Sequence, residues 1–175
     1  MALFCPTLYR RRITDITVKD LRALGAQGIL LYIVNSLTTH VNPVLDERVC
    51  AWLDEMHKAG FLLTVVSNIR DERGRPFAEA IGLSYQARAA KPLSRGYREA
   101  VRSMGLSARQ CVAVGDQIFT DILGANLSGM KSVLLEPIEL ETEQKFIVFK
   151  RRIERILLGT RRIKRRREED YRDAQ

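Results

Sequence analysis

The sequence is poor in the residues that build covalent or metal cross-links. Its three cysteines, Cys5, Cys50 and Cys111, are widely separated and odd in number, no Cys-x-x-Cys occurs, and there are only two histidines. Neither a disulfide framework nor a cysteine/histidine zinc site is supported, and a reducing, cytoplasmic setting fits best. No apolar run reaches the roughly 18 to 20 residues needed to span a bilayer. The opening "MALFCPTLYRRR" lacks the order of charged, apolar and cleavage regions of a secretory signal. A soluble protein is expected, with a peripheral place at a membrane left open. Aromatic-rich nucleic-acid motifs are also lacking.

What is present is enough for one ordinary core: 175 residues, 46% of them hydrophobic, argue for a single globular domain plus appendages. The net charge of +8 is uneven, because the last 31 residues, from Lys145 on, carry +7 of it. The expected division is an α/β domain over 1–140, with an N-terminal helical extension, and a basic C-terminal helix and tail over 141–175.

Short apolar runs alternate with amphipathic stretches. Thr17 and Asp20 form a capping arrangement before "VKDLRALG", with Gly25 as a stop. Gly28 to Val34 reads as the first strand. A helix with Val49, Trp52, Leu53 and Met56 on one face follows, and "FLLTVVSN" is the second strand. The pattern continues through "LSYQARAAKP", "CVAVGDQ" and "KSVLLEP", which gives five strands separated by helices. Such an order predicts a three-layer, doubly wound parallel sheet of Rossmann-like form, with helices on both faces. Ligands of such sheets lie outside the carboxyl ends of the strands, at the topological switch point.

Four strand exits carry polar residues. The first ends in "YIVNS", with Asn35 and Ser36. The second ends in Ser67 and Asn68, which suit a phosphate oxygen and equally suit an ordinary turn. Lys91 stands before Pro92 as a point charge for a phosphate or a carboxylate cluster, or as a solvated loop lysine. The fourth strand gives "VAVGDQIFTDILGAN", in which Asp116 and Asp121 suit a hard cation such as magnesium. Asp121 alone could equally be a helix cap.

In this order and spacing, the exits resemble those of the haloacid dehalogenase (HAD) superfamily of phosphatases. The likeness is closest to its YqeG-like branch (subclass III), whose relatives include phosphatidylglycerophosphate phosphatases. It runs from "ITDIT" through "FAEAIGLSYQARAAKP" and "VGDQIFTDILGANLSGM" to the basic end. The resemblance implies a HAD-like fold, Mg2+ as cofactor, phosphate-binding roles for Asn35, Ser36, Ser67, Asn68 and Lys91, and metal-binding roles for Asp116 and Asp121. The family's first strand ends in Asp-x-Asp-Asn-Thr/Ser, the first aspartate being nucleophile and metal ligand and the second general acid and base. Here Tyr32 occupies the nucleophile position and Val34 the acid/base position.

A carboxylate forms an acyl phosphate that water hydrolyses, whereas a phenol with a pKa of about 10 is protonated at neutral pH and would leave a stable aryl ester. Valine transfers no proton, and general acid–base help is commonly worth about 100- to 10,000-fold. With the first-strand acids gone, magnesium should bind weakly or not at all. The segment between the first two strands leaves no room for a separate cap domain, which by family analogy implies an open cleft and a large substrate. Three functional expectations result: a pseudophosphatase that binds a phosphorylated small molecule, lipid headgroup or protein; an active magnesium-dependent phosphomonoesterase, for example on phosphatidylglycerophosphate; or a basic adaptor. In "FIVFKRRIERILLG" and "TRRIKRRREED", a docked helix is weighed against attraction to RNA, ribosome or anionic membrane.

Overall fold

The computed structural model describes residues 2–32, 45–67, 71–86, 92–138 and 152–173, apart from 155, 157 and 160. Its strands are β1 (Leu8–Arg10), β2 (Gly28–Leu31), β3 (Leu62–Val66), β4 (Ser84–Gln86), β5 (Cys111–Gly115) and β6 (Lys131–Leu135). They form one sheet in the order β1-β6-β5-β2-β3-β4, and every pairing is parallel. The helices are α1 (Val18–Ala23), α2 (Glu47–Lys58), α3 (Asp71–Ala80), α4 (Ser94–Ser103), α5 (Leu123–Leu127) and a C-terminal helix (Arg161–Arg172). A π-helical turn, Ile118–Ile122, leads into α5.

The alternation of side chains along β2 sorts the core into two layers. Ile29 and Leu31 face a cluster with Trp52, Leu53, Met56, Val65 and Val114. Leu30 and Tyr32 face the opposite cluster, with Val66, Tyr97, Ala113 and Ala125. The strands are buried on both sides, hence their continuous apolar character. Local signals hold: Thr17 and Asp20 close a reciprocal capping box, Gly25 takes a left-handed φ of 70°, and the expected face of α2 is the buried one.

Among the described residues the sheet has six strands, one more than expected. The additional strand, β1, is three residues long and pairs with β6 through Leu8–Val133, Tyr9–Leu134 and Arg10–Leu135. Its arginine hides it, since "LYRRR" reads as surface. Yet Arg10 is only 3% exposed because its guanidinium forks onto Asp20, with Nη2–Oδ1 at 2.6 Å and Nε–Oδ2 at 3.1 Å. Burial alone would raise the Asp20 carboxyl, but the hydrogen bonds and charge of Arg10, with help from Thr17, outweigh it and hold the group below 3.8. Among the described residues no helix is long and apolar enough to cross a membrane.

Candidate functional site

From β2 the chain runs to β3 and β4 on one side, then crosses to β5 and β6 on the other, so the switch point lies between the carboxyl ends of β2 and β5. Leu31 pairs with Val114 there, which sets Tyr32 beside Gly115 and just ahead of Asp116. A Cβ at Gly115 would strike the Tyr32 ring and the Asp121 carboxylate. Glycine at the end of β5 is therefore what lets an aromatic ring stand at the end of β2.

Tyr32 is 2% exposed and turns toward α4, away from solvent. Its ring meets that of Tyr97 edge to face, with centroids 6.4 Å apart and planes at 86°, a favoured aromatic geometry. The Tyr32 hydroxyl donates to the Tyr97 hydroxyl at 2.7 Å. Tyr97 in turn donates to the Thr120 carbonyl at 2.9 Å, with the Asp121 carbonyl at 3.3 Å. Gly124 makes room for this second ring, which would lie 2.5 Å from a Cβ placed there. Burial, reinforced by Tyr97 and by the negative charge of Asp121, raises the Tyr32 phenol well above 10. Burial and Asp121 raise Tyr97 likewise.

Asp121 is 2% exposed and Asp116 4%. The Asp121 carboxylate closes the turn on itself: Oδ2 accepts the Gln117 N–H at 3.2 Å, and Oδ1 lies 3.1 Å from the Thr120 hydroxyl. Ser67, at the exit of β3, is 7% exposed, and its backbone N–H donates to the Gln86 carbonyl at 3.1 Å. Tyr32 and Asp121 thus meet at Gly115, with Asp116 next in the chain, and Ser67 stands at the exit of β3, the strand adjacent to β2. Val34, Asn35, Ser36, Asn68 and Lys91 lie outside the described residues.

Magnesium wants several carboxylate oxygens with waters around an octahedron. Among the described residues, no group of three His, Cys, Asp or Glu comes together. The Asp121 carboxylate is engaged by Gln117 and Thr120, and the end of β2 supplies a neutral phenol directed at Tyr97. The described residues alone do not make up a magnesium centre.

Two participants escaped the sequence reading. Tyr97 sits with Gly96, Ala100 and Val101 on the buried face of α4, so its burial was readable from helical spacing but its partner was not. Glu154, from the C-terminal region, is 3% exposed. Its Oε1 accepts the N–H groups of Ile118 and Phe119 at 2.8 and 3.3 Å. Glu154 thereby caps the turn that follows Asp116, and together with Asp116, Tyr9, Leu134, Arg167 and Tyr171 it lines a cavity of about 190 Å³.

A doubly wound parallel sheet with acids at the exit of the strand beside the switch point is a HAD-like α/β arrangement. Residues 88–137 match the family model described as HAD-hydrolase-like. The chain is 33% identical over 157 residues to "Probable phosphatase YqeG" of Bacillus subtilis (strain 168), covering 89% of this chain and 90% of that protein. It is 27% identical over 162 residues to "Phosphatidylglycerophosphate phosphatase 1, chloroplastic" of Chlamydomonas reinhardtii, covering 87% of this chain but 60% of that longer one. Two solved structures share the fold. One is a protein of Listeria monocytogenes serotype 4b (TM-score 0.57, 17% identity, 69% of this chain and 84% of that one). The other is the deoxy-D-mannose-octulosonate 8-phosphate phosphatase of Haemophilus influenzae (TM-score 0.51, 11% identity, 64% and 69%). The chain belongs to the YqeG family of HAD-superfamily phosphatases.

Proposed function

We propose that this YqeG-family chain keeps the phosphatase scaffold and part of its phosphate site but does not turn phosphomonoesters over. It acts as a binding protein for a phosphate-bearing ligand. The observation that carries this reading is the position of Tyr32. At the place of the family's nucleophile stands a buried phenol whose proton is given to Tyr97 and whose ionisation burial opposes. A nucleophile must present a lone pair to phosphorus, and this one is turned into the core.

Val34 contributes no proton transfer in place of the acid/base. With the first-strand carboxylates replaced, the crevice repels an anion less and draws magnesium less. Asn35, Ser36, Ser67, Asn68 and Lys91 are the residues assigned to phosphate, as point charge and hydrogen-bond donors.

The names of the relatives favour a second reading, an active magnesium-dependent phosphomonoesterase using Asp116 and Asp121 with other groups. One experiment separates the two. The purified chain is incubated with magnesium and either p-nitrophenyl phosphate or phosphatidylglycerophosphate, beside its Asp116→Asn variant, and phosphate release is measured. Release no faster than in buffer, with inorganic phosphate bound in calorimetry and lost in Lys91→Ala, supports the pseudophosphatase. Turnover by the unmodified chain that Asp116→Asn abolishes overturns it.

A further inference from the structure

Two basic clusters far apart in the sequence lie on elements that the fold joins, because the C-terminal helix docks on β1. The first is Arg10–Arg12 at the exit of β1. The second is Arg161–Arg167, in which six of seven residues are Lys or Arg and none is acidic. The C-terminal helix lies along β1. The Tyr9 N–H donates to Asp170 Oδ2 at 3.1 Å, and Arg10 Nη1 donates to the Asp170 carbonyl at 2.8 Å. The Arg11 guanidinium stands 5.2 Å over the Tyr171 ring. Arg10 is buried against Asp20, whereas Arg11, Arg12, Lys164 and Arg172 are exposed.

The apolar side chains of this helix are occupied by the fold. Ile163 and Tyr171, with Leu158, pack against Tyr9, Ile118, Ile122 and Leu134. A helix that binds a bilayer surface needs a free apolar face to sink among the acyl chains, and this helix gives its own to the sheet. Stacking of bases is not offered either, since Tyr171 is half-buried beneath Arg11. What remains is charge. The helix carries seven Lys/Arg against Glu168, Glu169 and Asp170. Asp170 is engaged with β1, and Glu168 lies 4.0 Å from Lys164. Twelve residues span about 18 Å at 1.5 Å each, matching roughly ten phosphates of a duplex at one charge per 1.7 Å.

We propose that the face formed by Arg11, Arg12 and the C-terminal helix binds the phosphodiester backbone of nucleic acid without sequence preference. The partner is recognised as a line of regularly spaced phosphates. Docking of the helix on β1 fixes the backbone that carries these cations.

The test uses the full chain and fluorescent RNA and DNA duplexes of about 20 base pairs, with anisotropy followed as salt is raised. The unmodified chain should bind with an affinity that falls steeply with salt. The variant Arg162→Gln, Lys164→Gln, Arg165→Gln, Arg166→Gln should lower the log–log salt slope by about 3, at about 0.7 to 0.9 per lost contact, and weaken binding at least about tenfold. The charge-conserving variant Arg162→Lys, Arg165→Lys, Arg166→Lys should keep both. An RNA preference would identify that polymer as the partner, and equal binding would identify the shared backbone. An unchanged slope in the glutamine variant, loss of binding in the lysine variant, or binding to phosphatidylserine vesicles with none to either duplex would overturn the proposal.

Discussion

Replacing Tyr97 by phenylalanine removes one hydroxyl that both accepts from Tyr32 at 2.7 Å and donates to Thr120 at 2.9 Å. The ring, its edge-to-face contact and its fit on Gly124 stay. A buried neutral hydrogen bond contributes about 0.5 to 1.5 kcal/mol net, and taking away a partner adds a desolvation penalty of about 1 to 3 kcal/mol. The Thr120 carbonyl is also reached by the Leu123 N–H, which softens its share. The expected loss is therefore about 2 kcal/mol, or a fall in Tm of about 4 to 8 °C for a chain of this length. Tyr32→Phe removes the bond to Tyr97 and leaves Tyr97 donating to Thr120, and losing that bond costs about 1 kcal/mol. The two hydroxyls share that bond, so the double variant should lose less than the sum of the singles, with a coupling of about 1 kcal/mol. Urea unfolding followed by circular dichroism, at constant m value, measures all four corners. A Tyr97→Phe variant as stable as the parent, or strict additivity, would refute the claim that the Tyr32 hydroxyl is committed to Tyr97.

Three further outcomes test neighbouring claims. Folded-state pKa values of Tyr32 and Tyr97 lie above the unfolded value of 10.0, so the stability they contribute is complete below pH 10 and is lost as pH rises beyond it. Each adds a slope of up to about 1.4 kcal/mol per pH unit. Phenolate absorbance should accordingly show these two tyrosines ionising only with alkaline unfolding, and ionisation in the folded chain near pH 10 would contradict this. Gly115→Ala drives a methyl into the Tyr32 ring and the Asp121 carboxylate and should destabilise by about 1 to 3 kcal/mol. The same change in a Tyr32→Ala background should lower Tm by less. Glu154→Ala withdraws a charged acceptor from the Ile118 and Phe119 N–H groups, at about 1.5 to 3 kcal/mol, and limited proteolysis should then cut the C-terminal region faster.

Much of the scaffold was legible because its signals are local. The Thr17 capping box, the Gly25 stop and the Val49, Trp52, Leu53, Met56 face each depend on residues within a few positions, and each appears as expected. The strand β1 was not legible: its three residues include an arginine whose burial depends on Asp20, ten positions away. At the site, the sequence placed Tyr32, Asp116 and Asp121 at strand exits of one sheet. It could not show where the phenol points, because that depends on space left by Gly115 and Gly124 and on Tyr97, 65 residues further on. Nor could it reveal Glu154, whose role comes from the return of the C-terminal region to the turn after Asp116. Spacing lists which groups reach an edge; packing decides which of them face it.

The proposed lack of turnover rests on Tyr32 and Val34 standing where two carboxylates would act in the family. Its most direct test compares initial rates of magnesium-dependent phosphate release from p-nitrophenyl phosphate for the parent chain and for Tyr32→Asp/Val34→Asp, with folding of both checked by circular dichroism. The parent should release no phosphate above buffer, and the double variant should show a gain that disappears when Asp116→Asn is added. Turnover by the parent that equals or exceeds the double variant's and survives Tyr32→Phe would contradict it.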